Sequence, residues 1–116
     1  MKLLMHILKE NKSLGVDNTT LDFNKILLKM EEEYREVIEA AKRYDSNKSL
    51  RNLKELVRET FDLIQICILI LWRCHRKALD LDEPKLMEEI NIEHKDKLIS
   101  ERHWIPETGI EIDIKE

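Results

Sequence analysis

Four acidic side chains stand in two pairs whose spacing suits metal-assisted chemistry. Glu33 and Glu36 are three residues apart, and Glu59 and Asp62 repeat that spacing further along the chain. Residues three apart lie on the same side of a helix, so each pair presents its carboxylates together. If two such helices lie side by side, the four carboxylates repel one another unless protons or cations neutralise them. Hard divalent cations that take oxygen ligands, above all Mg²⁺, are the simplest solution.

Each acidic pair taken alone has a plainer interpretation. A glutamate-rich helix is usually a solvated surface with ion pairs between residues four apart, such as Glu39 with Arg35 or Arg43. The second pair differs, because Glu59 and Asp62 lead directly into a run of apolar residues on their own side of the helix. Carboxylates one turn from a buried surface are not expected to be simply solvated, so the two pairs together favour a site.

The composition indicates long helices. The 116 residues include only two glycines and two prolines, and 42% are hydrophobic while 38% are charged. So few turn-forming residues argue strongly against a many-stranded sandwich or barrel. A formal net charge of −4 argues against a dedicated nucleic-acid-binding protein, which normally carries a basic face. Phosphate-bearing small molecules remain compatible with this charge, because metal ions can bridge acidic residues to phosphates.

Hydrophobic periodicity predicts four helical stretches, over about residues 3–13, 22–44, 50–77 and 84–102. Ser49 is the predicted cap of the third stretch. Asp82 is the predicted cap of the fourth, with Pro84 in its first turn. The third stretch becomes apolar on every side after Ile64, which predicts that its second half is buried all round. A chain of this size would achieve that by oligomerising.

The last residues follow a different pattern. Ile110, Ile112 and Ile114 alternate with charged residues, as in a half-buried strand. Such a strand needs a partner, either another copy of the chain or an extended segment elsewhere, and disorder is the alternative. We therefore divide the chain into a helical domain, residues 1–104, and a C-terminal tail, residues 105–116. The expected fold class is all-α: a four-helix-type bundle, completed as a homodimer or homotetramer, with a short extended tail.

The acidic motifs resemble the E-x-x-E … E-x-x-D signature of MazG-like nucleotide pyrophosphohydrolases, the all-α NTP pyrophosphatases. The similarity covers roughly residues 25–71 and is carried by EEYREVIEA and ETFDLIQICIL. The resemblance implies Mg²⁺-dependent hydrolysis of a (d)NTP between its α and β phosphates, with Mn²⁺ able to substitute. The products would be the monophosphate and pyrophosphate, and the role would be housekeeping of the nucleotide pool.

The resemblance also implies a role for each motif residue. Glu33, Glu36, Glu59 and Asp62 would be the metal ligands. Glu32, which precedes Glu33, would hold or activate the attacking water, so Glu32 and Glu33 are the expected catalytic carboxylates. These roles agree with the chemistry, because phosphoryl transfer depends mainly on charge neutralisation and positioning.

Three cations near the end of the fourth stretch are the expected phosphate-binding residues: Lys95, Lys97 and Arg102. Family members often carry a lysine followed four residues later by arginine and then glycine. Here Arg102 follows Lys97 by five residues, and His103 stands in place of the glycine. Ordinary solvated charges at a helix end are the alternative interpretation of these residues.

The sequence is also compatible with two other functions. Phosphoribosyl-ATP pyrophosphohydrolase of histidine synthesis resembles the same family in fold and acidic motifs. A non-catalytic helical module with an acidic binding face belongs to a different class, although all four motif positions are filled here. A ferritin-like oxidase is disfavoured because none of the four histidines stands three residues after a glutamate.

The remaining features predict a cytoplasmic protein without membrane or nucleic-acid partners. The first residues lack the long apolar run and cleavage site of a signal peptide. The longest apolar run, Ile66 to Trp72, is far shorter than the roughly 20 residues that span a bilayer. Cys67 and Cys74 are predicted to be reduced, buried thiols, because two helical turns separate them by about 10 Å.

Overall fold

A computed structural model of the chain describes residues 1–115. These residues form a small two-stranded sheet and three α-helices: β1 (Glu10–Asn11), β2 (Val16–Asp17), α1 (Phe23–Ser46), α2 (Leu50–Asp80) and α3 (Leu86–Asp96). A π-helical turn, Lys97–Glu101, follows α3 directly. The predicted all-α class is confirmed. The chain divides into two compact units, Met1–Lys77 and a second that begins at Ala78. Over residues 1–115, no helix has the length and apolar character needed to cross a membrane.

A short, capped connection joins α1 to α2. The side chain of Asp22 caps α1 by accepting a hydrogen bond from the backbone of Asn24 at 3.0 Å. Ser49 caps α2 as predicted, since its Oγ accepts from the backbone N–H of Asn52 at 3.2 Å. The side-chain amide of Asn52 donates back to the carbonyl of Arg43 at 3.2 Å. The start of α2 is therefore tied to the last turns of α1.

A second set of contacts joins the opposite ends of these helices. Arg73, late in α2, donates a hydrogen bond to the carbonyl of Leu21 just before α1. Its guanidinium also lies 4.5 Å from the centre of the Phe23 ring, within the range of a cation–π contact. Because the end of α1 meets the start of α2 and the start of α1 meets late α2, the two helices run antiparallel. This arrangement brings the middle of each helix to the same level.

Few apolar side chains of α1 and α2 are buried. In the described chain they are Ile26 and Ala40 of α1, each 1% exposed, and Leu69 and Ala78 of α2, 5% and 3% exposed. Late α2 is not covered on every side within the described chain, because Cys67 and Cys74 are exposed. The prediction of buried thiols is therefore wrong for the single chain. The N-terminal segment contacts α2 through the His6 carbonyl, which accepts from the side-chain amide of Gln65, whereas Leu71 stays 49% exposed.

The predicted helix over residues 3–13 is wrong. Glu10 pairs with Asp17 and Asn11 with Val16 in an antiparallel hairpin, and Gly15 takes φ of 64° in its turn. The left-handed conformation costs a glycine little, so it suits this turn. Lys9 O extends the hairpin by accepting from the backbone of Asn18 at 2.7 Å, and His6 O accepts from the side-chain amide of Gln65 in α2. Tertiary partners therefore replace the helical hydrogen bonds that the apolar pattern suggested.

The predicted cap at Asp82 is also wrong. Asp82 has φ of 59° and follows the end of α2, where Glu83 N donates to Ala78 O at 2.9 Å and Asp82 N to Leu79 O at 3.1 Å. These two bonds form a Schellman motif, so Asp82 terminates α2 instead of starting the next helix. The cap of α3 is Lys85 without a side-chain bond, and Pro84 precedes the helix.

The C-terminal tail is irregular. Residues 105–115 form no strand within the described part of this single chain. The strand predicted around Ile112 requires a partner, so it stays a prediction.

Candidate metal centre

The antiparallel helices bring together three of the four carboxylates in the acidic motifs. Glu33 of α1 and Glu59 and Asp62 of α2 each offer one ligand oxygen, and these oxygens all lie within 4.8 Å of one another. Oxygens that share one Mg²⁺ at about 2.1 Å stand about 3–4 Å apart, so this spacing is close to that of a cation site.

The burial of this group indicates that its charges need a partner. Glu33 is only 7% exposed, Glu59 is half-buried and Asp62 is exposed. Oε2 of Glu33 and Oε2 of Glu59 are both buried without a hydrogen-bond partner among residues 1–115. Leaving a buried carboxylate oxygen unpaired is costly, whereas a bound cation would satisfy it. The residues present therefore fit a divalent metal ion.

The fourth motif carboxylate, Glu36, lies beside this group. Its carboxyl group interacts with those of both Glu33 and Glu59. The interaction with the Glu33 carboxyl is the main cause of a raised pKa for Glu36, while the contact with Glu59 lowers it. Glu36 thus joins the two pairs, although it is not one of the three residues whose ligand oxygens converge.

Glu59 has the most perturbed acidity of the group. The pKa of Glu59 is raised from its ordinary value of 4.5 to about 7, mainly by burial and also by the neighbouring carboxyl groups of Glu55 and Glu36. Glu55, four residues before Glu59 on α2, was missed by the sequence reasoning. Its position one helical turn away was the available signal. Glu55 also forms an ion pair with Arg58 at 3.2 Å.

A lysine on α1 contacts the group from the preceding turn. Lys29 Nζ lies 3.1 Å from Glu33 Oε1 and 3.5 Å from Glu32 Oε2. The hydrogen bond with Glu33 is the main cause of the raised pKa of Lys29. Sequence reasoning missed this residue as well, and its spacing of four from Glu33 was the only signal. Glu32 itself lies outside the converging ligands, with its side chain 57% exposed.

The three predicted phosphate-binding cations belong to the second unit and are exposed: Lys95, Lys97 and Arg102. Lys95 Nζ lies 4.0 Å from Asp96 Oδ1. The backbone N–H of Arg102 donates to Lys97 O at 3.0 Å, which is the five-residue bond of the π-helical turn. A π turn accommodates one extra residue within a helix. Lys97 and Arg102 are thus one π turn apart, where the resemblance led us to expect a spacing of four.

The model of a family described as phosphoribosyl-ATP pyrophosphohydrolase matches residues 1–93. That range includes all four motif carboxylates and Lys29, and it ends before Lys95. No curated protein and no solved structure matches the chain.

Proposed function

This chain belongs to the phosphoribosyl-ATP pyrophosphohydrolase family, within the MazG-like all-α NTP pyrophosphatase superfamily, and on that premise we propose that it is a Mg²⁺-dependent nucleotide pyrophosphohydrolase. The bond cleaved joins the α and β phosphates of the substrate. The observation that carries the proposal is the group formed by Glu33, Glu59 and Asp62, whose ligand oxygens converge and of which two residues hold buried, unpaired oxygens.

Phosphoribosyl-ATP is the first substrate to test, because the matching family is described by its hydrolysis. The nucleoside triphosphates suggested by the sequence motifs are the second candidate. Both kinds of substrate contain a triphosphate chain, so the same carboxylate group serves either one. The two kinds of substrate differ in the groups outside the triphosphate chain, and the acidic motifs do not distinguish those groups.

The acidic residues have different roles in the proposed reaction. Glu33, Glu36, Glu59 and Asp62 would hold Mg²⁺. The bound ion supplies charge neutralisation at the phosphate oxygens and lowers the pKa of water. Glu32 is the proposed base: its carboxylate is largely exposed, next in sequence to a ligand, and suited to orient water and accept its proton.

The phosphate-binding role of Lys95, Lys97 and Arg102 stays part of the proposal. Its support is the resemblance together with the π-helical turn, which places Lys97 and Arg102 one turn apart despite their spacing of five. Exposed cations carry no desolvation penalty before substrate arrives, and each would form charge-assisted hydrogen bonds with phosphate oxygens.

We also propose that the enzyme is a homo-oligomer, a dimer or a tetramer, in the cytoplasm. On α2, the side opposite the carboxylates carries an apolar stripe at helical spacing, formed by Leu53, Val57 and Ile64, which are 40%, 46% and 40% exposed. Leu71 further along is 49% exposed. Apolar residues in a continuous stripe favour burial against a partner. A second copy of the chain would bury this apolar stripe.

The deciding experiment is a hydrolysis assay with Mg²⁺. Purified protein is incubated with phosphoribosyl-ATP and with a panel of ribo- and deoxynucleoside triphosphates, and pyrophosphate is resolved from inorganic phosphate. Release of pyrophosphate together with the matching monophosphate supports the proposal, and the preferred substrate decides between the two candidates. Release of inorganic phosphate alone, or no release from any substrate, would overturn it.

A further inference from the structure

The ion pair between Lys29 and Glu33 is not explained by helix stability. In helices, a glutamate that precedes a lysine by four residues is the favourable order, and here the lysine comes first. The lysine side chain is 52% exposed, and exposed lysines contribute little to stability by pairing. Its partner is instead the most buried carboxylate of the proposed metal site, with a side chain 9% exposed.

The two oxygens of Glu33 have different surroundings. Oε1 lies 3.1 Å from the ammonium of Lys29, while Oε2 is buried and has no hydrogen-bond partner in the described part of the chain. The ammonium also reaches Glu32 at 3.5 Å, so it is held between two carboxylates of the same helix. One oxygen of Glu33 is therefore occupied within the chain, and one remains to be satisfied.

We propose that Lys29 is a positioning residue that makes Glu33 a one-oxygen ligand and so favours Mg²⁺ over the larger Ca²⁺. This inference rests on the metal site of the proposed function. Mg²⁺ requires near-ideal octahedral geometry, whereas Ca²⁺ accepts six to eight oxygens and readily binds both oxygens of one carboxylate. An ammonium on Oε1 prevents both oxygens of Glu33 from binding the same ion, which lowers the affinity for Ca²⁺ more than the affinity for Mg²⁺.

The ratio of the two affinities separates this role from a simple charge effect. Removing a nearby positive charge strengthens the binding of any divalent cation, and it acts on Mg²⁺ and Ca²⁺ alike because both carry the same charge. A change in the ratio therefore reports the geometry of the ligand. Residues that contact a metal ligand typically change metal affinity by about 10–100-fold when mutated, so a tenfold effect is measurable.

The test measures binding of Mg²⁺ and of Ca²⁺ to the full-length protein without substrate, by calorimetry or by displacement of Mn²⁺ followed by electron paramagnetic resonance. The variants are Lys29→Met and Lys29→Ala, with Lys29→Arg to retain the cation. Lys25→Met, an exposed lysine one turn earlier on α1, is the matched control. Circular dichroism confirms that each variant is folded, and having two neutral variants keeps the test valid if one of them unfolds.

The Mg²⁺-to-Ca²⁺ affinity ratio is expected to fall about tenfold in Lys29→Met and Lys29→Ala and to stay near the wild-type value in Lys29→Arg and Lys25→Met. An unchanged ratio in both folded neutral variants would overturn the inference while leaving the proposed function intact. If wild-type protein bound neither ion, with or without nucleotide, both the inference and the metal-dependent function would be wrong.

Discussion

Glu33 and Glu59 come from different helices, yet each holds one buried carboxylate oxygen that no group of the described chain hydrogen-bonds, and their ligand oxygens lie within 4.8 Å of each other. Two carboxylates this close in a partly buried place favour protonation or a cation. The raised pKa of Glu59, about 7, reflects the first of these outcomes, and a divalent ion would provide the second.

Mg²⁺ should stabilise the folded protein. An ion that binds only the folded state at 100 times its Kd adds about 2.7 kcal/mol to the free energy of unfolding. Glu59→Gln and Asp62→Asn should each remove this stabilisation and abolish pyrophosphate release, because each deletes a ligand charge. Thermal melting with and without Mg²⁺ measures the effect. Glu39→Gln, an exposed carboxylate on α1, is the control and should behave as wild type. Full activity in Asp62→Asn would contradict the ligand assignment.

The metal-free protein should lose stability as the pH rises from 4.5 to about 7. The folded pKa of Glu59 lies above its ordinary value, so the folded state favours the protonated form. That contribution is fully present below pH 4.5 and is lost as the pH passes the folded pKa of about 7. Burial, Glu55 and Glu36 are the causes that act on this carboxyl group.

Urea unfolding in the presence of a chelator, at a series of pH values, measures this dependence. The difference between wild type and Glu59→Gln isolates the contribution of one carboxyl group, because the amide cannot titrate. Wild type should lose stability relative to the variant as the pH rises. A constant difference over this range would show that the pKa of Glu59 is not raised. Adding Mg²⁺ should reverse the trend, since the ion binds the ionised form.

Glu32→Gln should separate catalysis from metal binding. The Glu32 side chain is 57% exposed and lies outside the three converging ligands, so metal affinity should stay near the wild-type value. Loss of a general base lowers the rate by about 10²–10⁴-fold, and kcat should fall within that range. Steady-state kinetics and Mg²⁺ titration are compared in the same preparation. A parallel loss of metal affinity would instead make Glu32 a ligand.

Lys97→Met and Arg102→Met should weaken substrate binding. Each removes a cation that is proposed to contact phosphate, and a charge-assisted hydrogen bond of about 1.5 kcal/mol corresponds to roughly tenfold in KM. Lys85→Met, another exposed lysine of the second unit, is the control. Kinetics with the preferred substrate measure the change. If both variants keep the wild-type KM, these residues do not bind phosphate and are ordinary surface charges.

The protein should form particles heavier than its 13.9 kDa chain at micromolar concentration. Val57, 46% exposed in the apolar stripe of α2, would lie in the interface. Val57→Asp places a charge there and should shift the mass toward the monomer, because burying an unpaired charge is costly. Arg51→Asp, also on α2 and exposed, is the control. Light scattering measures both, and a monomeric wild type would contradict the prediction.

Much of the helical framework could be predicted from local patterns. The periodicity of α1, the Ser49 cap and the scarcity of glycine and proline are properties of residues a few positions apart, which is why α1 and α2 were anticipated closely. The same method failed at Asp82, where the end of one helix competes with the start of the next. It failed again over residues 3–13, where bonds to distant groups replaced local ones.

The acidic spacing by itself determined that Glu33 with Glu36, and Glu59 with Asp62, would each share one side of a helix. Only the tertiary structure decided that Glu33, Glu59 and Asp62 converge, that Glu36 lies beside them, and that Glu32 stays exposed. It also decided that Lys29 occupies one oxygen of Glu33. The physical reason is that helical spacing is a local property. The burial and pairing of each carboxylate oxygen depend instead on how two antiparallel helices pack.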